Sequence, residues 1–298
     1  MKKILSLLAL LLSALMLTGC EDMNFKEGIV VAGGKYVEAH TLNKGKQIYM
    51  EYCMACHGVK GDGKGVASKG LFPPPRNFTL GIIKFGDVAS GDLPHDEAIY
   101  KFLKHGLNGT AMLPWDLQPG QMEAVWDYIK TFAPQAWIGE DKKLGEQILA
   151  SNDPYGLARK SSAIERGREV YHAVANCQAY HMAYATPDEY KAIAKKINNE
   201  DVTEIDPEMY KIKMQESEHG YKTMPPDFTW DRVRSANNVE DIYLRLAAGI
   251  GGTTMPSWKG TLEDNDIWAA AYYVQSLIDM RNTPARDALW VAIFGEQK

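Results

Sequence analysis

The 298-residue chain has only four cysteines, Cys20, Cys53, Cys56 and Cys177. Cys20 closes the N-terminal apolar run, and Cys53 and Cys56 belong to one motif, which leaves Cys177 alone. The disulfide framework by which small exported domains are stapled is therefore not expected. It has no basic excess either: 33 Lys and Arg stand against 38 Asp and Glu, so a nucleic-acid partner is not expected. Long hydrophobic runs are missing as well. The longest, Ile4 to Leu17, falls short of the ~20 residues that a membrane-spanning helix needs.

What the chain does have is Cys53-Met54-Ala55-Cys56-His57. Two thiols three residues apart with an imidazole directly after them have the spacing that attaches a c-type haem: the thiols add to two vinyl groups and the histidine lies under the macrocycle. A zinc half-site would need a second such cluster, and a redox CxxC would precede a helix in a βαβ pattern. Neither context is present. Gly58 and Gly61-Asp62-Gly63-Lys64-Gly65 then form a loop that lets backbone approach a flat cofactor. Arg76, after Pro73-Pro74-Pro75, is a candidate partner for a haem propionate. Met112 lies in Gly106-Leu107-Asn108-Gly109-Thr110-Ala111-Met112-Leu113-Pro114-Trp115 and is a candidate for the second axial position.

On these residues the chain resembles class I cytochromes c, with CxxCH near a first helix, a ligand methionine on a late loop and a closing helix. The resemblance implies an all-α fold, haem c on Cys53 and Cys56, and iron ligation by His57 and Met112. It covers about residues 41–134 and 160–280.

The chain also repeats itself. Ile99 to Trp115 aligns without gaps on Ile242 to Trp258, matching Gly106 with Gly249, Thr110 with Thr253, Met112 with Met255 and Trp115 with Trp258. Pro74-Pro75 before Phe78-Thr79 recurs as Pro225-Pro226 before Phe228-Thr229. Two copies mean a duplicated domain rather than a solenoid. The expected organisation is a signal over 1–19, a tether over 20–40, a first cytochrome c domain over 41–134 and a linker over 135–159. A second domain over 160–298 carries an insertion (182–224) and an extra C-terminal helix from Thr283-Pro284. Helices are expected from Thr41 or Asn43 into Cys53, over Asp96 to His105, from Pro119 to Thr131 and from about Ser162. Two more are expected in the insertion, after the capping box Thr186-Pro187-Asp188-Glu189 and from Asp206-Pro207.

The second motif departs from the first: Cys177-Gln178-Ala179-Tyr180-His181 has tyrosine where the repeat calls for cysteine. The other elements remain, so a haem-shaped second pocket is expected, with Cys177 as a single thioether and His181 and Met255 as the iron ligands. The alternatives are a haem held without a covalent bond or lost in maturation, and an incidental Tyr180. Met209, Met214 and Met224 compete with Met255 on paper. His40, His95, His105, His172 and His219 are read as solvated or capping, Lys60, Lys64 and Lys69 as a solvated rim, and Met122/Trp126 and Trp268/Tyr272 as core.

Lys2 and Lys3 before the apolar run make an export signal. It closes on Leu17-Thr18-Gly19-Cys20, which looks like a bacterial lipoprotein box with Cys20 as the lipidated residue; a plain signal or an uncleaved anchor are the alternatives. The expectation is a lipid-anchored cytochrome facing the periplasm. It would pass single electrons between a dehydrogenase or quinol-oxidising complex and a downstream acceptor. A dihaem peroxidase-like enzyme, and a one-haem carrier with a haem-free docking domain, are the competing readings. Residues 40–136 carry ten basic and nine acidic side chains and residues 137–298 nineteen and twenty-five, so the two halves suit redox partners of different charge.

Overall fold

The computed structural model describes residues 24–295, so the expected signal and lipidation site, Cys20, lie outside the described residues. In chain order the described residues form a hairpin, β1 (Ile29–Val31) and β2 (Lys35–Val37), then helices α1 (Ala39–Ile48), α2 (Asp96–His105) and α3 (Pro119–Lys130). They continue with α4 (Lys160–Glu169), α5 (Pro187–Asn198), α6 (Val239–Ala248), α7 (Asp264–Asp279) and α8 (Pro284–Phe294). The fold is all-α apart from the hairpin. No helix of the described residues is long and apolar enough to cross a membrane.

Each repeat is built on the crossing of its first and last helices. In α1 the buried residues Leu42, Gly45 and Ile48 recur every three residues, which seals one helical face. At Gly45 α1 meets α3 so closely that a Cβ would lie 1.9 Å from the Ala124 carbonyl oxygen. Gly167 of α4 meets α7 in the same way, with a Cβ 1.9 Å from the Ala269 carbonyl oxygen. Both first helices then open into a π-turn, Tyr49–Cys53 and Val170–Val174. One hydrophobic cluster gathers Tyr49, Ile99, Leu103, Val125, Trp126 and Trp137. Another gathers Tyr171, Tyr184, Phe228, Tyr243, Trp268 and Tyr273.

The expected tether needs correction. Val31 and Val37 are buried, one in each of two paired strands, around a Gly33-Gly34 turn whose φ angles are +83° and +77°. Val31 also bridges Ile138, and the Ala32 N–H donates to the Trp137 carbonyl at 2.7 Å. Short half-buried strands of this kind are specified by their neighbours rather than by local propensity. The expected linker is a strap: Gly145 N–H donates to Leu93 O, Ile148 N–H to Asp87 O, and Ser151 Oγ accepts from Trp268 Nε1. The helix expected from Asp206-Pro207 is only a 3-10 turn, Pro207–Tyr210.

A buried ion network ties α2 to α3. Lys130 Nζ lies 2.7 Å from Asp96 and 2.9 Å from Asp127, and Trp126 Nε1 donates to Asp96 at 2.8 Å. Burial works against the Asp96 charge, but the Lys130 and Lys35 ammonium groups and the Trp126 hydrogen bond together outweigh it and hold the carboxyl below its usual range. The Asp96 contribution is therefore present above the ordinary aspartate pKa and is lost as pH falls through the folded-state value. Asp96→Asn should cost about 3 kcal/mol at neutral pH, the lower end for breaking a buried pair. Thermal melts should show this gap closing in acid; a gap unchanged down to about pH 3 would contradict the assignment.

The two units meet in a reciprocal contact. Asn108 N–H donates to the Arg234 carbonyl at 3.0 Å, and Gly251 N–H donates to the Lys84 carbonyl at 2.9 Å. Asn108 matches Gly251 in the repeat, and Lys84 matches Arg234 in the register that places Phe78 on Phe228. The same two positions thus serve from both sides, as in an isologous dimer interface. Both methionine loops lie on it. A Cβ at Gly251 would sit 2.1 Å from the Ile83 carbonyl oxygen, so glycine is needed for this approach.

Candidate haem-binding sites

The two sites share one local design. In the first, Met54–His57 is a helical turn that ends at Gly58, whose φ is +81°. The His57 ring stacks on Phe78 at 4.6 Å, and its Nδ1 lies 3.0 Å from the Arg76 carbonyl oxygen. A carbonyl only accepts, so Nδ1 carries the proton and Nε2 keeps its lone pair, the arrangement in which a histidine can bind metal. Burial lowers the His57 pKa despite this hydrogen bond, which keeps the ring neutral. Tyr49 donates its hydroxyl to the Gly58 carbonyl at 2.7 Å and fixes the turn. Burial pushes the Cys53 thiol up to about 12.

The second site repeats these contacts from different residues. His181 stacks on Phe228 at 4.9 Å. Its Nδ1 is buried and faces the Pro226 carbonyl, the counterpart of Arg76, without closing a full hydrogen bond. Burial takes its pKa down to about 4. Tyr171 donates to the Met182 carbonyl at 2.7 Å, as Tyr49 does to Gly58. Cys177, Tyr180, His181, Met255 and Trp258 line one cavity of about 750 Å³, within the roughly 300–1,000 Å³ usual for cofactor sites. Burial pushes the Cys177 thiol up to about 12.

The methionine loops are stapled alike. Thr110 Oγ1 donates to Leu107 O and accepts from Met112 N, while Leu107 N–H donates to the Met112 carbonyl. Thr253, Ile250 and Met255 make the same three bonds, and Trp115 and Trp258 each donate a backbone N–H to the preceding helix. Met112 packs against the first core cluster together with Cys53 and Phe78. Of the competing methionines, Met209 is buried away from the cavity, Met214 is exposed, and Met224 lines the cavity rim.

The approach to the second motif differs. Cys177 stands six residues after Tyr171, whereas Cys53 stands four after Tyr49. The added length is taken up by Asn176 in the left-handed region, φ +51°, and a 3-10 turn over Cys177–Ala179. Tyr180 is 44% exposed at the cavity wall.

Several residues act otherwise than the sequence suggested. His172, read as solvated or capping, is a core residue: Nδ1 faces the Arg168 carbonyl at 2.8 Å and Nε2 accepts from Tyr184 N, and burial lowers its pKa to about 4. His219 is also buried, between Arg76 and Gly251. His95 faces the Gly145 carbonyl and His105 the Lys101 carbonyl. Lys60, Lys64 and Lys69 are exposed. Arg76 presents its carbonyl to His57 and directs its guanidinium across the domain boundary.

Cations near the second cavity were not singled out in the sequence. Arg245 is buried on its wall, paired with Asp87, with Nε and Nη1 left without partners. Burial takes its pKa down to about 10. Lys84, on the same wall, falls to about 8 through burial and the nearby Arg76 and Arg234 charges. Open guanidinium donors on Arg245 and the Lys84 ammonium on the same wall suit a bound anion. The signal existed: Arg245 stands where the first repeat has Phe102. Two thiols, neutral imidazole and thioether in the first site, and one thiol, imidazole, thioether and cations around a cavity in the second, form donor sets that fit haem.

The family model described as Cytochrome c matches residues 42–133. Among solved structures, the chain is similar to a chain of the Kuenenia stuttgartiensis reducing HAO-like protein complex. That match has 31% identity and a TM-score of 0.63, and it covers 79% of this chain and 96% of that one. No curated protein matches. With the family model on residues 42–133 and a likeness that takes in nearly the whole of the solved chain, this chain belongs to the cytochrome c family.

Proposed function

We propose that the protein is an exported, lipid-anchored cytochrome that passes single electrons between redox proteins through two haem sites. Cys53 and Cys56 hold haem c covalently, with His57 and Met112 as iron ligands. Cys177 holds a second haem by one thioether, with His181 and Met255 as its ligands. Haem, when bound, supplies an iron that accepts and releases one electron. The chain's residues orient a neutral imidazole on each side and set a thioether on a stapled loop. A thioether ligand raises the reduction potential.

One observation carries this reading: the two sites repeat the same imidazole–phenyl stack and the same methionine-loop bonds with different residues. A second domain kept only for docking has no need of His181, Met255 and a cavity between them. The solved chain's place in a redox complex supports a protein partner of that kind. Cys20 provides the membrane anchor and places the body of the chain on the periplasmic side.

Carbon monoxide separates this reading from the peroxidase-like one. Neither reduced centre should take it up readily, and peroxide should not be turned over; rapid binding at one centre with turnover would favour the enzyme. Tyr180→Cys is expected to restore double attachment. In a pyridine haemochrome spectrum the red-shifted component from the singly attached haem should then move to the position of haem 1. A wild-type chain with a single haem, unchanged by Tyr180→Cys, would make the second domain a docking module.

A further inference from the structure

His219 lies in the insertion that the first repeat lacks, yet it is only 6% exposed and bonds to both halves of the molecule. Its Nε2 is 3.0 Å from the Gly251 carbonyl, an acceptor, so Nε2 carries the proton. Its Nδ1 is then an acceptor, and Arg76 Nη1 donates to it at 2.6 Å. Both contacts fit one neutral tautomer. The ring packs beside Tyr221, whose hydroxyl also faces Arg76, and against Gly252, where a Cβ would come within 2.7 Å of it.

The partners of His219 matter more than its burial. The carbonyl of Arg76 is the acceptor for His57 Nδ1. Gly251 belongs to the loop in which Ile250 N–H donates to the Met255 carbonyl. An unbroken chain of contacts thus runs from the imidazole of the first site to the methionine loop of the second. The reciprocal backbone bonds described above dock the two units symmetrically; the His219 link has no counterpart on the other side, because the first repeat has no insertion to supply it.

We propose that His219 is a positioning residue that couples the two haem sites, by holding the Arg76 segment against His57 while fixing the Met255 loop. The proposal rests on the ligand sets given under Proposed function. A firm acceptor on Nδ1 makes an imidazole a stronger donor to metal, which favours the oxidised iron. Releasing Arg76 weakens that acceptor, so the potential of haem 1 rises although no residue of the first domain has changed.

The test is a redox titration of the mature full-length protein, following the haem 1 band, in wild type and three variants. His219→Leu keeps volume and removes both bonds; it should raise the haem 1 potential. His219→Gln can accept from Arg76 and donate to Gly251, and should return the potential toward wild type. Ser90→Ala removes another bond across the boundary, Ser90 Oγ to the Ile250 carbonyl at 3.4 Å, without touching Arg76, and should leave haem 1 unmoved. If leucine disturbs folding by circular dichroism, His219→Ala, which leaves room for water, replaces it. An unmoved haem 1 potential in the folded His219 variant, or an equal shift in Ser90→Ala, overturns the coupling. Absence of haem 1 from the wild-type protein would instead overturn the ligand assignment, so the two failures are distinct.

Discussion

Replacing Met112 with alanine is expected to remove the weak sulfur-to-iron absorption of haem 1, lower its potential and open the iron to carbon monoxide. Axial ligands set haem potentials over a span of ~0.8 V, and loss of a thioether should move this one down by on the order of 0.1 V or more. That corresponds to ~2.3 kcal/mol per 0.1 V for one electron. The fold should survive, because the loop is held by backbone and threonine bonds that alanine keeps: Thr110 Oγ1 with Leu107 O and with residue 112 N, and Leu107 N with residue 112 O. The matching change, Met255→Ala, should act on the second centre. Potentiometry with the visible spectrum reads both. An unchanged spectrum in Met112→Ala would show that another side chain holds that position.

The second large effect is structural. Gly45→Ala places a methyl group 1.9 Å from the Ala124 carbonyl oxygen and 2.9 Å from Tyr128 Cβ. These are parts of the facing helix that cannot swing aside, so α1 and α3 must separate. The clash falls at the centre of the first unit, next to the turn that presents Cys53 and His57. The cost should be about 4 kcal/mol or more, in the range reserved for a disrupted core, and little haem should be attached. Gly120, also in α3, is the control: its nearest neighbour to a new Cβ is the Lys44 ammonium at 4.0 Å. Alanine there removes only glycine's entropic disadvantage in a helix, so Gly120→Ala should be neutral or stabilising by about 0.5–1 kcal/mol. Chemical denaturation of both variants checks the pair, and a Gly45→Ala protein within about 1 kcal/mol of wild type would contradict the close-packed crossing.

What could be read in the sequence had a local cause. Asp96–His105 is legible because Ile99, Phe102 and Leu103 fall on one face and the helix stops at Gly106. Pro187–Asn198 is legible because Thr186 and Glu189 cap each other. Both methionine loops are legible because the repeat matches them residue for residue from Gly106 to Trp115 and from Gly249 to Trp258. What stayed hidden was decided by distant neighbours. His219 looks like any isolated histidine until Arg76, 143 residues away, is brought against it. His172 is buried because the Tyr184 N–H needs an acceptor. The hairpin at 29–37 exists because Trp137 and Ile138 pair with it. Arg245 could have been noticed as a charge in place of Phe102, but its unpartnered nitrogens are visible only once α6 is docked on the cavity.

The central claim is that one chain carries a doubly attached haem at Cys53 and Cys56 and a differently attached one beside Cys177. Intact mass of the mature protein, taken together with its pyridine haemochrome spectrum, tests it most directly. The mass should include two haems, and the spectrum should resolve into an ordinary c-type component and a red-shifted one. A colourless protein of apoprotein mass after full maturation would contradict it.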